Sequence, residues 1–152
     1  MTLVELMVAA VLIVTFFAGI FEVNAVCLRY VAAGKESLAA IAAANDRAET
    51  LRNLAFYDLI DTAEVRDVLA APANASDWAS RASEVVKISA FPTPNGVTQF
   101  TRSANGQVTL DSTATSLGKT LVLLEVTTTF KGIGNRPRSE VVTSIISNGT
   151  KK

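Results

Sequence analysis

Hydrophobic and polar positions follow one another along this 152-residue chain in three different rhythms. Residues 1 to 21, MTLVELMVAAVLIVTFFAGIF, hold no Lys or Arg, and Glu5 is the one ionisable side chain among them. A run of this kind is long enough to cross a bilayer as a helix, which takes ~20 predominantly apolar residues. From Phe21 a mixed pattern begins, with no proline before Pro72. Val31, Leu38, Ile41, Ala48, Leu51 and Ala55 recur at separations of three, four or seven, a broad and drifting helical stripe. The pattern predicts a single helix from Thr2 to about Phe56, ~80 Å long at 1.5 Å per residue. Its first half is hydrophobic all round and has to be buried in lipid or among other helices. Its second half has one face for a domain and one for neighbours.

Residues 56 to 83 punctuate the chain. Phe56-Tyr57-Asp58-Leu59 closes the long helix, as an aromatic lid over a domain core behind the polar helix end Arg47 to Leu54. Asp61 or Thr62 is placed to cap a short helix that runs to about Ala70 and stops at Pro72. PANASDWASRAS then reads as a loop with one helical turn around Trp78, a core or domain-edge anchor. After this the period becomes that of strands. Residues 84–91, 97–102, 107–111, 119–130 and 138–147 are rich in Val, Ile, Thr and Phe and are bounded by Pro, Asn, Gly and Ser. Turns are indicated at 92–96, at Asn105-Gly106, which suits a two-residue type I′ hairpin, and at 132–137. The expectation is an α+β chain in which an antiparallel meander packs one face on the outer half of the helix.

Two features of the long helix leave alternatives open. Ala39-Ala40-Ile41-Ala42-Ala43-Ala44 combines strong helix propensity with small side chains. It suits a close helix contact with another subunit or a plain stretch of helix formers beneath a globular domain. Gly19 and Gly34 each weaken the helix by ~1 kcal/mol relative to alanine.

Composition narrows the possible chemistry. The 49% hydrophobic content is inflated by the first helix, and the remainder is ordinary for a globular domain. Formal net charge is zero, so the overall balance indicates no nucleic-acid partner. A single cysteine, Cys27, excludes an internal disulfide and reads as a small buried hydrophobe. Histidine is absent, which removes a Ser-His-Asp or Cys-His nucleophile, a histidine metal site and a haem-attachment motif. Gly132-Ile133-Gly134 lacks the rest of a phosphate loop. Asp58 with Asp61 suits hydrogen-bonding caps better than a calcium site. No enzyme, cofactor or metal is expected.

The remaining puzzle is Glu5. A charge in hydrocarbon costs roughly 2.5–3.5 kcal/mol on insertion scales, so this carboxylate needs compensation. It can stay hydrated near the interface, take up a proton, or pair with a positive group on another chain, for which the amine at Met1 of a neighbour would lie at the right depth. The helix dipole also favours a carboxylate one turn from the start, by ~0.3–1 kcal/mol.

Met1-Thr2-Leu3-Val4-Glu5-Leu6-Met7 resembles the mature N-terminus of type IV pilins and of the related pseudopilins of type II secretion. The resemblance implies a pilin fold, with a spine helix over about 2–56 and a C-terminal antiparallel sheet. Residues 1–24 would be the transmembrane or filament-core half of the helix, and 25–152 the extracytoplasmic globular domain. It further implies removal of a basic leader by a prepilin peptidase, N-methylation of Met1, and assembly through Met1, Thr2 and Glu5. In that family the glutamate is held to pair with the N-terminal amine of an adjacent subunit. The lack of a secretory signal pattern fits a chain in its mature form. The implied partners are other copies of the chain in a helical filament, the inner membrane before assembly, and the pilus assembly machinery; the implied destination is the cell surface. A minor pilin or minor pseudopilin that primes or tips a filament is the alternative, because the segment Arg47 to Leu54 is similar to a pattern in those subunits. A membrane-anchored domain that never polymerises is the reading from a different class. The chain departs from the family in having Glu22 and Val14 about where major pilins have a proline and a glycine, which favours a continuous helix.

Overall fold

A computed structural model of the chain describes residues 2–131 and 136–149. The fold is α+β: four helices, the first 50 residues long, precede a five-stranded antiparallel sheet. The expected turn at 132–137 lies for the most part outside the described residues. Contacts divide the chain into two compact units, Met1–Lys35 and Glu36–Lys152, and helix α1 (Leu3–Arg52) runs through both. The second unit begins next to Ser37, whose hydroxyl donates to Glu140 at 2.8 Å.

In the first unit α1 is unbroken through Gly19. Nothing approaches the Gly19 Cα within reach of an added Cβ, so its cost is one of backbone entropy and not of fit. Large apolar side chains from Leu3 to Val31 are 41–78% exposed.

The second unit is built on the outer part of α1. The buried positions are Ala40, Ala43, Ala44, Arg47, Ala48 and Leu51. This corrects the expected stripe in part: Ala48 and Leu51 are buried, whereas Val31 and Leu38 are 56% and 69% exposed and Ile41, 40% exposed, lies at the margin. The buried face is mainly alanine, with Arg47 and Leu51 its two long side chains. The helix ends where the Asn53 and Leu54 amides turn back to Thr50 and Leu51 carbonyls at 3.2 Å, a tightened last turn. Phe56 to Leu59 then belongs to a separate short helix, α2 (Phe56–Ile60), after the extended Ala55. Asp61 caps α3 (Thr62–Ala70) by accepting from the Ala63 amide at 2.9 Å, and Ser76 caps α4 (Asp77–Arg81) by accepting from the Ala79 amide.

The strands are β1 (Ser83–Ala90), β2 (Val97–Arg102), β3 (Val108–Ser112), β4 (Leu121–Lys131) and β5 (Pro137–Ser147), in the spatial order β3-β2-β1-β4-β5. A simple meander was expected, and the order corrects it: β4 returns to pair with β1 and not with β3. β3 is only five residues long, and four of them are exposed, whereas β1 offers Val86 and Ile88 to stand beside Val126 and Leu124 of β4. The larger apolar burial places the long strand β4 beside the central strand β1. The Asn105-Gly106 hairpin also differs from expectation. The Gly106 amide donates to Ser103 at 2.8 Å, and Ser103 pairs with Gln107, enclosing a three-residue loop with Gly106 at φ +83°. This is a turn followed by a left-handed residue, the next commonest hairpin after the two-residue form.

Charge enters the core at one place. Arg47, 1% exposed, reaches from α1 to Glu84 on β1, with Nε donating to Oε2 at 2.8 Å. Its Nη1 and Nη2 donate to the carbonyls of Val68 and Ala71 at the end of α3. Glu84 lies opposite Arg102 on β2 and Thr128 on β4. Arg102 in turn donates to Ala79 and Ala82 at the end of α4. Each buried guanidinium therefore sits where a helix presents unpaired carbonyls and negative dipole. Trp78, half-buried, leans on Phe130 edge to face at 5.7 Å. Replacing Arg47 with leucine would leave Glu84 buried without its counter-charge, and the expected loss is ~3–5 kcal/mol, read from urea unfolding followed by the emission of Trp78, the only tryptophan. Lys87→Ala, which breaks the half-exposed 2.8 Å pair with Glu125, is expected to cost under about 1 kcal/mol in the same assay.

On the outer face, Thr101 donates to Asp111, as do Gln99 at 3.0 Å and Thr109 at 3.0 Å. These bonds, that from Thr101 foremost, hold the Asp111 carboxyl below the 3.8 of an unperturbed aspartate. A lowered folded-state value means stability that is present above the unfolded value and lost as pH falls through the folded one. Asp111→Asn is accordingly expected to flatten the pH dependence of unfolding below about pH 4, where acid titrations of the two proteins should converge.

Candidate functional site

The exposed apolar helix is the feature of the chain that most needs a function. Fully burying a Val, Leu, Ile, Phe or Met side chain is worth about 1.5–3 kcal/mol. Residues 3–21 keep many such side chains in the open over ~28 Å of helix, close to the ~30 Å hydrocarbon thickness of a bilayer. By length and composition this helix can cross a membrane, and none of its most apolar window is buried within the chain. Cys27 is exposed here, which corrects the expectation of a buried hydrophobe: its neighbours along α1, Val26 and Leu28, are exposed as well.

Among the three residues expected to act in assembly, Met1 lies outside the described residues, and Thr2 and Glu5 are brought together. The Thr2 amide donates to Glu5 Oε2 at 2.7 Å, and the Glu5 amide donates to Thr2 Oγ1 at 3.4 Å. This reciprocal pair is a capping box, in which both side chains satisfy amides that the first helical turn leaves orphaned. The Thr-x-x-Glu spacing before an apolar run is its signature and was available from the sequence. In the single chain, then, Glu5 has a local partner as well as the favourable end of the helix dipole.

Asp61 serves as the cap of α3, so the Asp58 and Asp61 pair is split between two helices. Among the described residues no group of three or more His, Cys, Asp or Glu is placed to hold a metal ion. Gly132-Ile133-Gly134 falls outside the described residues. A hollow of about 570 Å³ in the second unit is walled by Phe56, Tyr57, Ile60 and Leu117 with several Thr and Ser side chains. Arg47, Glu84 and Arg102, the charges that organise the unit, were not singled out as a group by sequence reading. Arg47 was placed on a polar helix end, and only its i−4 and i+4 neighbours Ala43 and Leu51 hinted at an inward face.

Compared with known families, curated proteins and solved structures, the chain finds no significant match to any family model, protein or structure. Its arrangement, a long apolar N-terminal helix followed by an antiparallel sheet, is consistent with a pilin-like fold. Removing the box by Thr2→Ala is expected to cost the first turn about 0.5–2 kcal/mol, visible as faster hydrogen exchange at the amides of residues 4–6 in micelles with the sheet amides unchanged.

Proposed function

We propose that this chain is a structural subunit of a type IV pilus-like filament. The observation that carries the reading is the all-round apolar stretch 3–21 of α1, whose one carboxylate, Glu5, stands in the first turn. In the membrane the helix anchors the subunit, and the globular unit lies on the extracytoplasmic side. On assembly the helices exchange lipid contact for contact with one another. A polymer of this kind needs a device that sets axial register within an otherwise featureless apolar bundle. Glu5 paired with the amine of a neighbour's Met1 is such a device, because a misregistered carboxylate stays unpaired in a low-dielectric core. Leu38, exposed on the face of α1 turned from the sheet, extends the apolar contact beyond the membrane-spanning stretch.

The supports are the residues 1 to 7, the unbroken helix and the pilin-like arrangement. Within this reading the subunit catalyses nothing, its partners are copies of itself and the assembly machinery that delivers it, and it is processed and N-methylated at Met1. A minor subunit that primes or tips the filament would use the same spine and would differ in abundance.

Sheared filaments from producing cells, examined by electron microscopy and mass spectrometry, test the reading. Abundant uniform filaments of this chain with a methylated Met1 are expected, and trace amounts at filament ends would instead indicate a minor subunit. Glu5→Ala is expected to leave membrane insertion intact and to remove filaments. Normal polymer from that variant would overturn the role of Glu5, and a chain that stays in the membrane unprocessed would overturn the filament itself.

A further inference from the structure

Strand β4 spans 11 residues, about 33 Å, and the globular unit carries opposite charge at its two ends. At the C-terminal end of β4, Lys131 and Arg81 border a hollow of about 280 Å³ that also touches Glu36, Trp78 and Phe130. Arg138 stands opposite Phe130 in the ladder, and Arg136 immediately precedes β5. All four cations are exposed, and among the described residues none is engaged in an ion pair within 4 Å.

At the N-terminal end of β4 the surface is formed by α2, the start of α3 and the loop 113–119, which together wall the 570 Å³ hollow. Asp58, Asp61 and Glu64 are exposed there, beside Tyr57, which is 71% exposed. Glu36, Asp77 and Glu140 temper the basic end, leaving its four cations one in excess, and Arg66 and Lys119 temper the acidic one, leaving its three carboxylates one in excess.

We infer that in the polymer the basic end of one globular unit, Arg81, Lys131, Arg136 and Arg138, seats on the acidic α2–α3 surface of a second copy. The inference rests on the filament reading and names a contact within it. Two patches at opposite ends of a rigid sheet cannot meet in one molecule. They meet only between copies, and because the patches differ the contact is heterologous and leaves each end ready for another copy, the geometry of an open helical polymer. A formal net charge of zero adds no general repulsion between copies. Tyr57 gives an arriving guanidinium a ring face beside the carboxylates. The apolar helix supplies the burial, and the charged contact supplies orientation and register.

The test uses the full chain in cells. Lys131→Glu with Arg138→Glu, and separately Asp58→Lys with Glu64→Lys, spare the Asp61 cap and are each expected to reduce sheared filament mass at least tenfold, with membrane insertion unchanged. The four substitutions combined in one chain are expected to restore filaments to within about threefold of the parent, because the swapped ends again attract. Cross-linking gives an independent reading. In a Cys27→Ala background, Lys131→Cys with Asp58→Cys is expected to give a ladder of multimers with a bifunctional maleimide. Filaments indifferent to either two-site reversal, or a combined variant that inserts normally and stays unassembled with no ladder from the cysteine pair, overturns the contact. If the basic-end reversal alters only extraction from anionic membranes, that end belongs to lipid and the inference is equally overturned. Absence of filaments from the unaltered chain would instead overturn the filament reading on which it rests.

Discussion

One buried ion pair, Arg47 to Glu84, fixes the arrangement of elements that the apolar core brings together: a single cluster already joins Ala44, Ala48 and Leu51 of α1, Val65 and Leu69 of α3, and Val86 and Ile88 of β1. One guanidinium binds the central strand and takes the last carbonyls of α3, and through Glu84 it borders Arg102, which does the same for α4. Burying such charges is costly, and an apolar replacement of the whole group can be energetically neutral. What an apolar replacement lacks is direction. Alanines at 40, 43, 44 and 48 make a smooth face that a sheet can meet at many registers, and Arg47 selects one of them. The row it enters is also where Glu84 Oε1, Arg102 Nε and Thr128 Oγ1 lie buried without a hydrogen-bond partner among the described residues. Their register, one strand apart on β2, β1 and β4, makes this row the part of the core most sensitive to hydration.

Much of the architecture is legible in the sequence, and the misses have a common cause. Five strands, the capped helix from Asp61 and the turn at Trp78 follow from local rules: period two, an Asx cap, a proline stop. The position of β4 beside β1 does not, because it is decided by which strand can bury more against Val122, Leu124 and Val126. The helix face is legible only at Ala48 and Leu51, because the periodicity of large aliphatics also takes in Leu38, which is exposed, and passes over Ala43, Ala44 and Arg47, which are buried. Asn105-Gly106 was read as a tight two-residue loop, and the ladder closure at Ser103 and Gln107 gave it a third residue. At the candidate site, the apolar run and the lone Glu5 were plain from composition, and the Thr2 half of the capping box was legible in spacing but outweighed by the search for a partner on another chain.

The two faces of α1 in the globular unit are consequently under unlike constraints. Toward the sheet, volume is limiting: an added methylene at Ala43 or Ala44 has no room. Away from it, side-chain size is free, as exposed Leu38 shows; under the proposed filament role that face would lie against neighbouring subunits.

The capping box also sets what any further partner of Glu5 could add. In the single chain the carboxylate already accepts from the Thr2 amide at 2.7 Å. Under the proposed filament role, a neighbour's Met1 amine would displace or share that bond, and the gain would come from the added charge and not from satisfying a bare acceptor.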